Sequence, residues 1–151
     1  MSTHPLEEKF WCVNCHNPHA DYEQYLLPKK GNALCYLCHK DIEKTYLGSD
    51  HDFVEWQAET GSCLNCHVPH GSDFPPLLLG EGAELCTWCH PTYAHPIVNH
   101  PVGNLYKDEL TGGTLTCTSS CHNPHGSKYR NMLTSLPDGL CLLCHPVSEL
   151  P

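Results

Sequence analysis

The chain has 151 residues, room for one compact domain, and a formal charge of −9 from 17 acidic and 8 basic side chains. That acidity disfavours nucleic-acid binding, and no stretch approaches the ~20 apolar residues of a membrane-spanning helix. Only 40% of residues are hydrophobic, and 13 prolines and 11 glycines break up regular structure, so a conventional apolar core cannot offset the entropy of ordering such a chain.

The chain opens on Met1-Ser2-Thr3-His4-Pro5, which is polar and carries no signal-peptide pattern. Cys12-Val13-Asn14-Cys15-His16 follows. Cys35-Tyr36-Leu37-Cys38-His39 repeats its form, and residues 40–47 between the second and third motifs predict a short helix. Cys63-Leu64-Asn65-Cys66-His67 and Cys86-Thr87-Trp88-Cys89-His90 come next. Cys117-Thr118-Ser119-Ser120-Cys121-His122 is a longer copy with one extra residue. Cys141-Leu142-Leu143-Cys144-His145 closes the series. Helical turns are expected at the fourth and sixth motifs. Elsewhere the composition predicts mostly irregular coil with short helical turns and little or no strand.

All 12 cysteines are used in these six motifs. Cys-x-x-Cys-His is the c-type haem attachment sequence: two thiols bond to the porphyrin edge and the adjacent imidazole meets the iron. Two other chemistries share part of the pattern. Paired Cys-x-x-Cys units suit a zinc ribbon, and an even cysteine count suits a disulfide scaffold. Neither needs a histidine after every second cysteine. Six covalent haem c groups would give the chain the core that its own side chains lack, and the chain without them is expected to be disordered. Attachment of this kind takes place outside the cytoplasmic membrane, so the protein is expected to be exported, periplasmic or extracellular, with its signal peptide absent from this sequence.

The motifs group into three two-haem repeats, residues 12–39, 63–90 and 117–145, within a single hexahaem domain over residues 1–151. In each repeat an x-Pro-His follows the opening motif, placing His19, His70 and His125 three residues beyond the motif histidine. Leu27, Leu78 and Leu133 recur further on, as do Leu34, Leu85 and Leu140 just before the closing motif. Gly71-Ser72 and Gly126-Ser127 follow the second histidine in two repeats, where the first has Ala20-Asp21.

The histidines balance the irons. His16, His39, His67, His90, His122 and His145 serve as motif ligands. His4, His19, His51, His70, His95, His100 and His125 remain for six second positions. Only Met1 and Met132 could offer the alternative thioether. Spacing assigns His19 to the haem of Cys35/Cys38, His70 to that of Cys86/Cys89 and His125 to that of Cys141/Cys144. The upstream histidines His4, His51 and His100 are left for the opening haem of each repeat. His95 is the surplus: it exchanges roles with His100, lies on the surface, or completes a haem in a neighbouring subunit. With every iron closed by two imidazoles, inner-sphere chemistry is disfavoured and outer-sphere electron hopping remains. Trp11, Trp56, Trp88, Tyr22 and Tyr25 are read as packing on porphyrin faces rather than as relays.

The unit C-x-x-C-H-x-P-H-G-S followed by a leucine and C-x-x-C-H stands here as Cys63–His90. In lengthened form it stands as Cys117–His145, and as Cys12–His39 apart from Ala20-Asp21. It resembles the doubled-CxxCH motif of multihaem c-type cytochromes. His100-Pro101-Val102-Gly103 is similar to the segment that supplies a distal ligand in that family, and Cys117–Cys121 departs from its pattern. The resemblance implies periplasmic or extracellular electron transfer with alternating stacked and T-shaped haem pairs. It also implies redox-protein partners or an extracellular acceptor. Some members assemble into extracellular filaments, or nanowires, in which a histidine of one subunit ligates a haem of the next. The expected function is therefore an electron-carrying cytochrome, not an enzyme, self-associating into a filament. A soluble periplasmic shuttle and a multihaem reductase with one open haem are the alternatives.

Overall fold

The computed structural model describes residues 3–4, 12–19, 24–52, 61–91 and 102–149. Regular structure in it is sparse. The α-helices are α1 (Asn32–Cys35), α2 (Lys40–Tyr46), α3 (Gly82–Thr87) and α4 (Pro137–Cys141). Two strands, β1 (Gly103–Lys107) and β2 (Thr114–Leu115), form an antiparallel hairpin pairing Gly103 with Leu115 and Lys107 with Thr114. Helices this short do not persist alone in water, so tertiary contacts or a bound group must hold them.

Each helix has a local reason to start where it does. Gly31, in the left-handed region at φ 55°, turns the chain into α1. Pro137 occupies the first turn of α4, where its missing N–H costs nothing, and Asp138 faces the helix dipole beside it. In α2, Asp41 and Glu43 lie in the first turn, and Lys40–Glu43 and Lys44–Asp41 ion pairs line its exposed side. The helix expected at residues 40–47 is thus present as α2. The helices expected at the fourth and sixth motifs begin before them. Helices α1 and α4 stop at the first cysteine of their motif, and α3 passes it by one residue. Beyond that point the motif continues as a hydrogen-bonded turn. The hairpin lies in the linker between the second and third repeats, where coil was expected. Its short strands and irregular register carry no alternation long enough to read.

The chain packs as two compact units. One is Met1–Lys44 with Asp52–Gly80, and the other is Thr45–His51 with Glu81–Pro151. The first holds the first three motifs and the second holds the last three. In the first unit, Asn32 at the start of α1 clamps the third motif. Its Nδ2 donates to Ser62 Oγ at 2.8 Å and its Oδ1 accepts from the Cys63 amide at 3.0 Å. Gly61 is buried there at φ 85°, and a Cβ would strike the Asn32 backbone and side chain.

Among the described residues, Tyr36 and Tyr46 are the fully buried hydrophobic side chains. Val13, Leu37, Trp88, Leu142 and Leu143, all inside the motifs, are exposed to between 43% and 63%. Large apolar side chains are thus exposed at the attachment motifs, as they are elsewhere along the described chain, for example at Leu47, Leu110 and Leu136. The described residues contain no helix long and apolar enough to cross a membrane.

Candidate haem sites

Every motif is folded around one backbone bond. The histidine amide donates to the carbonyl of the first cysteine at 2.8 Å for His16, 3.0 Å for His39, His67 and His90, and 2.9 Å for His145. This turn holds the two cysteines and the histidine within one tight loop. In the longer motif the same bond closes over one more residue, His122 to Cys117 at 3.1 Å. The insertion is absorbed inside the turn.

The opening motif of each repeat is completed by a chain reversal nine residues on. His16 Nδ1–H donates to the Tyr25 carbonyl at 2.7 Å, His67 to Pro76 at 3.1 Å and His122 to Asn131 at 2.9 Å. The acceptors sit at turns with left-handed backbone in non-glycine residues: Tyr25 and Leu26, Leu77, and Asn131 and Met132. Such conformations cost of order 1–3 kcal/mol each and persist only where surroundings enforce them. Here they turn a carbonyl onto a ring nitrogen. The reversal is tied by Asn17, Val68 and Asn123 amides bonding the carbonyls of Leu26, Leu77 and Met132 at 2.8, 2.7 and 2.8 Å. The recurring leucines at 27, 78 and 133 follow directly. Sequence reading found those leucines but missed the turn, which uses no glycine and whose residues differ in each repeat.

Two upstream histidines are held the same way by a different repeat. His4 Nδ1 donates to the Pro69 carbonyl at 2.7 Å, and His51 Nδ1 to Pro124 at 2.9 Å. Each proline lies just before the x-Pro-His histidine of the following repeat. A histidine whose Nδ1–H is spent on a carbonyl presents its Nε2 lone pair to a metal, the usual arrangement of a ligand imidazole.

Three pairs of rings face one another across a gap. His16 and His70 have centroids 5.9 Å apart, His51 and His90 6.2 Å, and His4 and His39 6.3 Å, at interplanar angles between 33° and 44°. Each pair joins a motif histidine to one outside the motifs. Two metal–imidazole bonds of about 2 Å, with about 1 Å more from each nitrogen to its ring centre, span roughly 6 Å. The residues therefore fit an iron held between two imidazoles.

These pairings differ from those read off the spacing. His4 faces the second motif's histidine, not the first. His51 faces the fourth, not the third. His70 faces His16 of the preceding repeat, not His90. The x-Pro-His turn, closed by a Gly71 amide bond to the Val68 carbonyl at 3.2 Å, directs His70 back along the array, a direction that spacing does not encode. His125 lies edge-on to Tyr46 at 6.4 Å. His19 is exposed, with its amide donating to Asn17 Oδ1 at 3.1 Å just as the His125 amide does to Asn123 at 3.0 Å. His95 and His100 lie outside the described residues, as do Trp11, Trp56 and Tyr22. Tyr25 and Trp88 are exposed beside their motifs.

The thiols report which motifs adjoin. Cys35 is drawn down to about 7, first by a hydrogen bond from the Cys63 thiol, which is held protonated by the same contact and by burial. The opening sulfurs of the second and third motifs are therefore neighbours. Burial raises the Cys15 thiol, and Cys38 and Cys35 add to it. Burial likewise raises Cys121, with Cys144, Asp108, Cys117 and Cys141 adding. None of the twelve cysteines is in a disulfide. Among the described residues no three Cys, His, Asp or Glu side chains converge on a point where a bare ion would bind.

Paired thiols, an imidazole beside them and, at three motifs, a second imidazole opposite are the marks of a multihaem c-type cytochrome, a class that binds haem c covalently. Comparison with known proteins agrees. The doubled CXXCH motif family matches residues 4–44, 57–95 and 111–149, and the chain belongs to that family. The chain is also similar to multiheme cytochrome MtrA of Shewanella baltica (strain OS185), 32% identical over 155 residues that cover 93% of this chain. The chain spans 43% of that relative's length.

Proposed function

We propose that the chain is a hexahaem cytochrome that carries electrons by outer-sphere hopping along haems each closed by two histidines. The observation that carries this reading is the set of three mixed histidine pairs at 5.9–6.3 Å, with three of their six rings anchored through Nδ1. That count rests on His4, His16 and His51, with His67 held alike outside the pairs. A haem so enclosed offers no site for a substrate on its iron, which favours electron transfer over the reductase alternative. The adjoining thiols of the first and second, second and third, and fifth and sixth motifs support a succession of haems that follows chain order. Haem c would supply the redox chemistry, and the chain's own residues hold, orient and shield it.

The matching test is electron paramagnetic resonance with carbon monoxide binding. Six low-spin haems per chain and no carbon monoxide adduct are expected. One high-spin haem that binds carbon monoxide would establish an open site and remove this reading in favour of a reductase.

We further infer self-association, through His19. His70 faces the opening histidine of the preceding repeat, His16, and His19 is its counterpart in the first repeat. Its imidazole is exposed and has no ring partner among the described residues. It is the ligand this chain would offer a neighbouring subunit in an extracellular or periplasmic filament. Sedimentation and electron microscopy of the wild type and His19→Ala test this. Assemblies that fall to single chains in the variant, with haem content unchanged, are expected. A wild type that sediments as one chain at native concentration favours the soluble shuttle.

A further inference from the structure

The sixth copy of the motif differs from the others in length, and the structure gives it a device the others lack. In the five ordinary motifs the second cysteine's amide bonds the first cysteine's carbonyl at 3.2 or 3.3 Å. In Cys117–Cys121 that bond has no counterpart among the described residues. Beside one backbone bond, from the Ser119 amide to the Thr116 carbonyl at 3.3 Å, the inserted stretch is held by side chains. Ser119 Oγ donates to the Thr114 carbonyl at 3.0 Å and accepts from the Thr116 amide at 2.9 Å. Ser120 Oγ donates to Asp108 Oδ2 at 3.2 Å.

Asp108 is the unusual member. It follows β1 and has no accessible surface. Its backbone closes the hairpin: the amide donates to Gly113 O at 2.8 Å and the carbonyl accepts from Gly112 at 2.7 Å. Its Oδ1 accepts from the Leu110 amide at 2.9 Å, and Thr111 adds bonds from backbone and side chain. The carboxylate is thus fixed by one turn and used by another. Downstream, the Thr134 amide bonds the Cys121 carbonyl at 2.9 Å, as the Leu79 amide bonds Cys66 in the second repeat at 2.8 Å. The register is already restored at Cys121, so the correction takes place at Ser119 and Ser120.

We infer that Asp108 is the positioning residue that makes the lengthened motif a working attachment site: its carboxylate tethers Ser120 and so brings Cys121 and His122 to the places that ordinary motifs reach by backbone bonding alone. This inference rests on the haem reading above. Attachment adds the Cys121 S–H across a vinyl group. Sulfur bonds to the inner carbon, hydrogen goes to the outer carbon, and no net electrons are exchanged. The step needs the thiol held at the vinyl edge while His122 is held at the iron, which an untethered six-residue loop does not ensure.

The experiment is mass mapping of haem peptides from the intact protein, matured in a host that attaches haem c. In Asp108→Ala, peptides of the other five motifs should keep both thioether bonds, while Cys121 becomes a free thiol in most molecules. Ser120→Ala should shift the sixth motif the same way. Deleting Ser120 in the Asp108→Ala chain, which restores the ordinary motif length, should bring double attachment back. Full double attachment in Asp108→Ala overturns the inference. So does failure of the deletion to restore it, or an equal loss at all six motifs, since either would make Asp108 a merely structural residue. A wild-type chain with no thioether-bound haem at any motif would instead remove the haem reading itself.

Discussion

Single ring nitrogens decide what these histidines can do. With Nδ1–H committed to a carbonyl, His4, His16, His51, His67 and His122 have one tautomer and one free lone pair. Removing the partner ring should expose the consequence. In His70→Ala, one haem, that of Cys12/Cys15, should become high-spin and bind carbon monoxide while the others do not; a spectrum still wholly low-spin would reject the His16–His70 pairing. Asp108 supplies a pH dependence. Its carboxyl is held below the usual carboxylate range, first by the Leu110 amide, against an opposing push from desolvation. A folded-state pKa below the unfolded ~3.9 contributes stability above that value, and this is lost as pH falls through the folded pKa. Melting temperatures of wild type and Asp108→Asn should therefore differ at neutral pH and converge under strong acid. A gap that widens on acidification would contradict the sign.

At the scale of elements, the repeat is a left-handed reversal joined to a short helix. The reversal brings a carbonyl to the opening histidine, and the helix delivers the first cysteine of the closing motif. Gly126 shows how tightly such a unit packs. It is buried at φ 97°, and an added Cβ would run into the Thr45 carbonyl and lie 3.0 Å from Ser49 Cβ. Gly126→Ala should cost at least ~1–3 kcal/mol, read as a fall of several degrees in melting temperature, whereas Gly112→Ala, with open space around its Cβ, should cost less despite its positive φ. Much of this element was legible in the sequence. The six motifs, the x-Pro-His histidines, the recurring leucines and helix α2 are all periodic or local signals. The reversal was not, because Tyr25-Leu26, Pro76-Leu77 and Asn131-Met132 share no residue type that marks a left-handed turn. The hairpin was hidden for a related reason: its turn is built by the Asp108 side chain and not by a recognisable strand pattern.

For the whole molecule, the scarcity of buried apolar side chains means that stability must come from the bound groups. Only two hydrophobic residues are buried among those described, and large apolar side chains inside the motifs are left exposed. Chemical cleavage of the thioether bonds and removal of haem should abolish the helical circular dichroism signal, leaving a disordered chain. A haem-free protein that keeps a cooperative thermal transition would show that the polypeptide has a core of its own.

The sequence by itself determined the class of chemistry: which thiols are paired, which imidazoles stand beside them, and that the unit recurs three times. These follow from adjacent residues, where covalent spacing fixes what can reach a common group. The tertiary structure decided which histidine stands opposite which. Partners such as His16 and His70 are brought together by turns whose direction depends on backbone conformation and long-range carbonyl bonds, and neither is written in the spacing between residues.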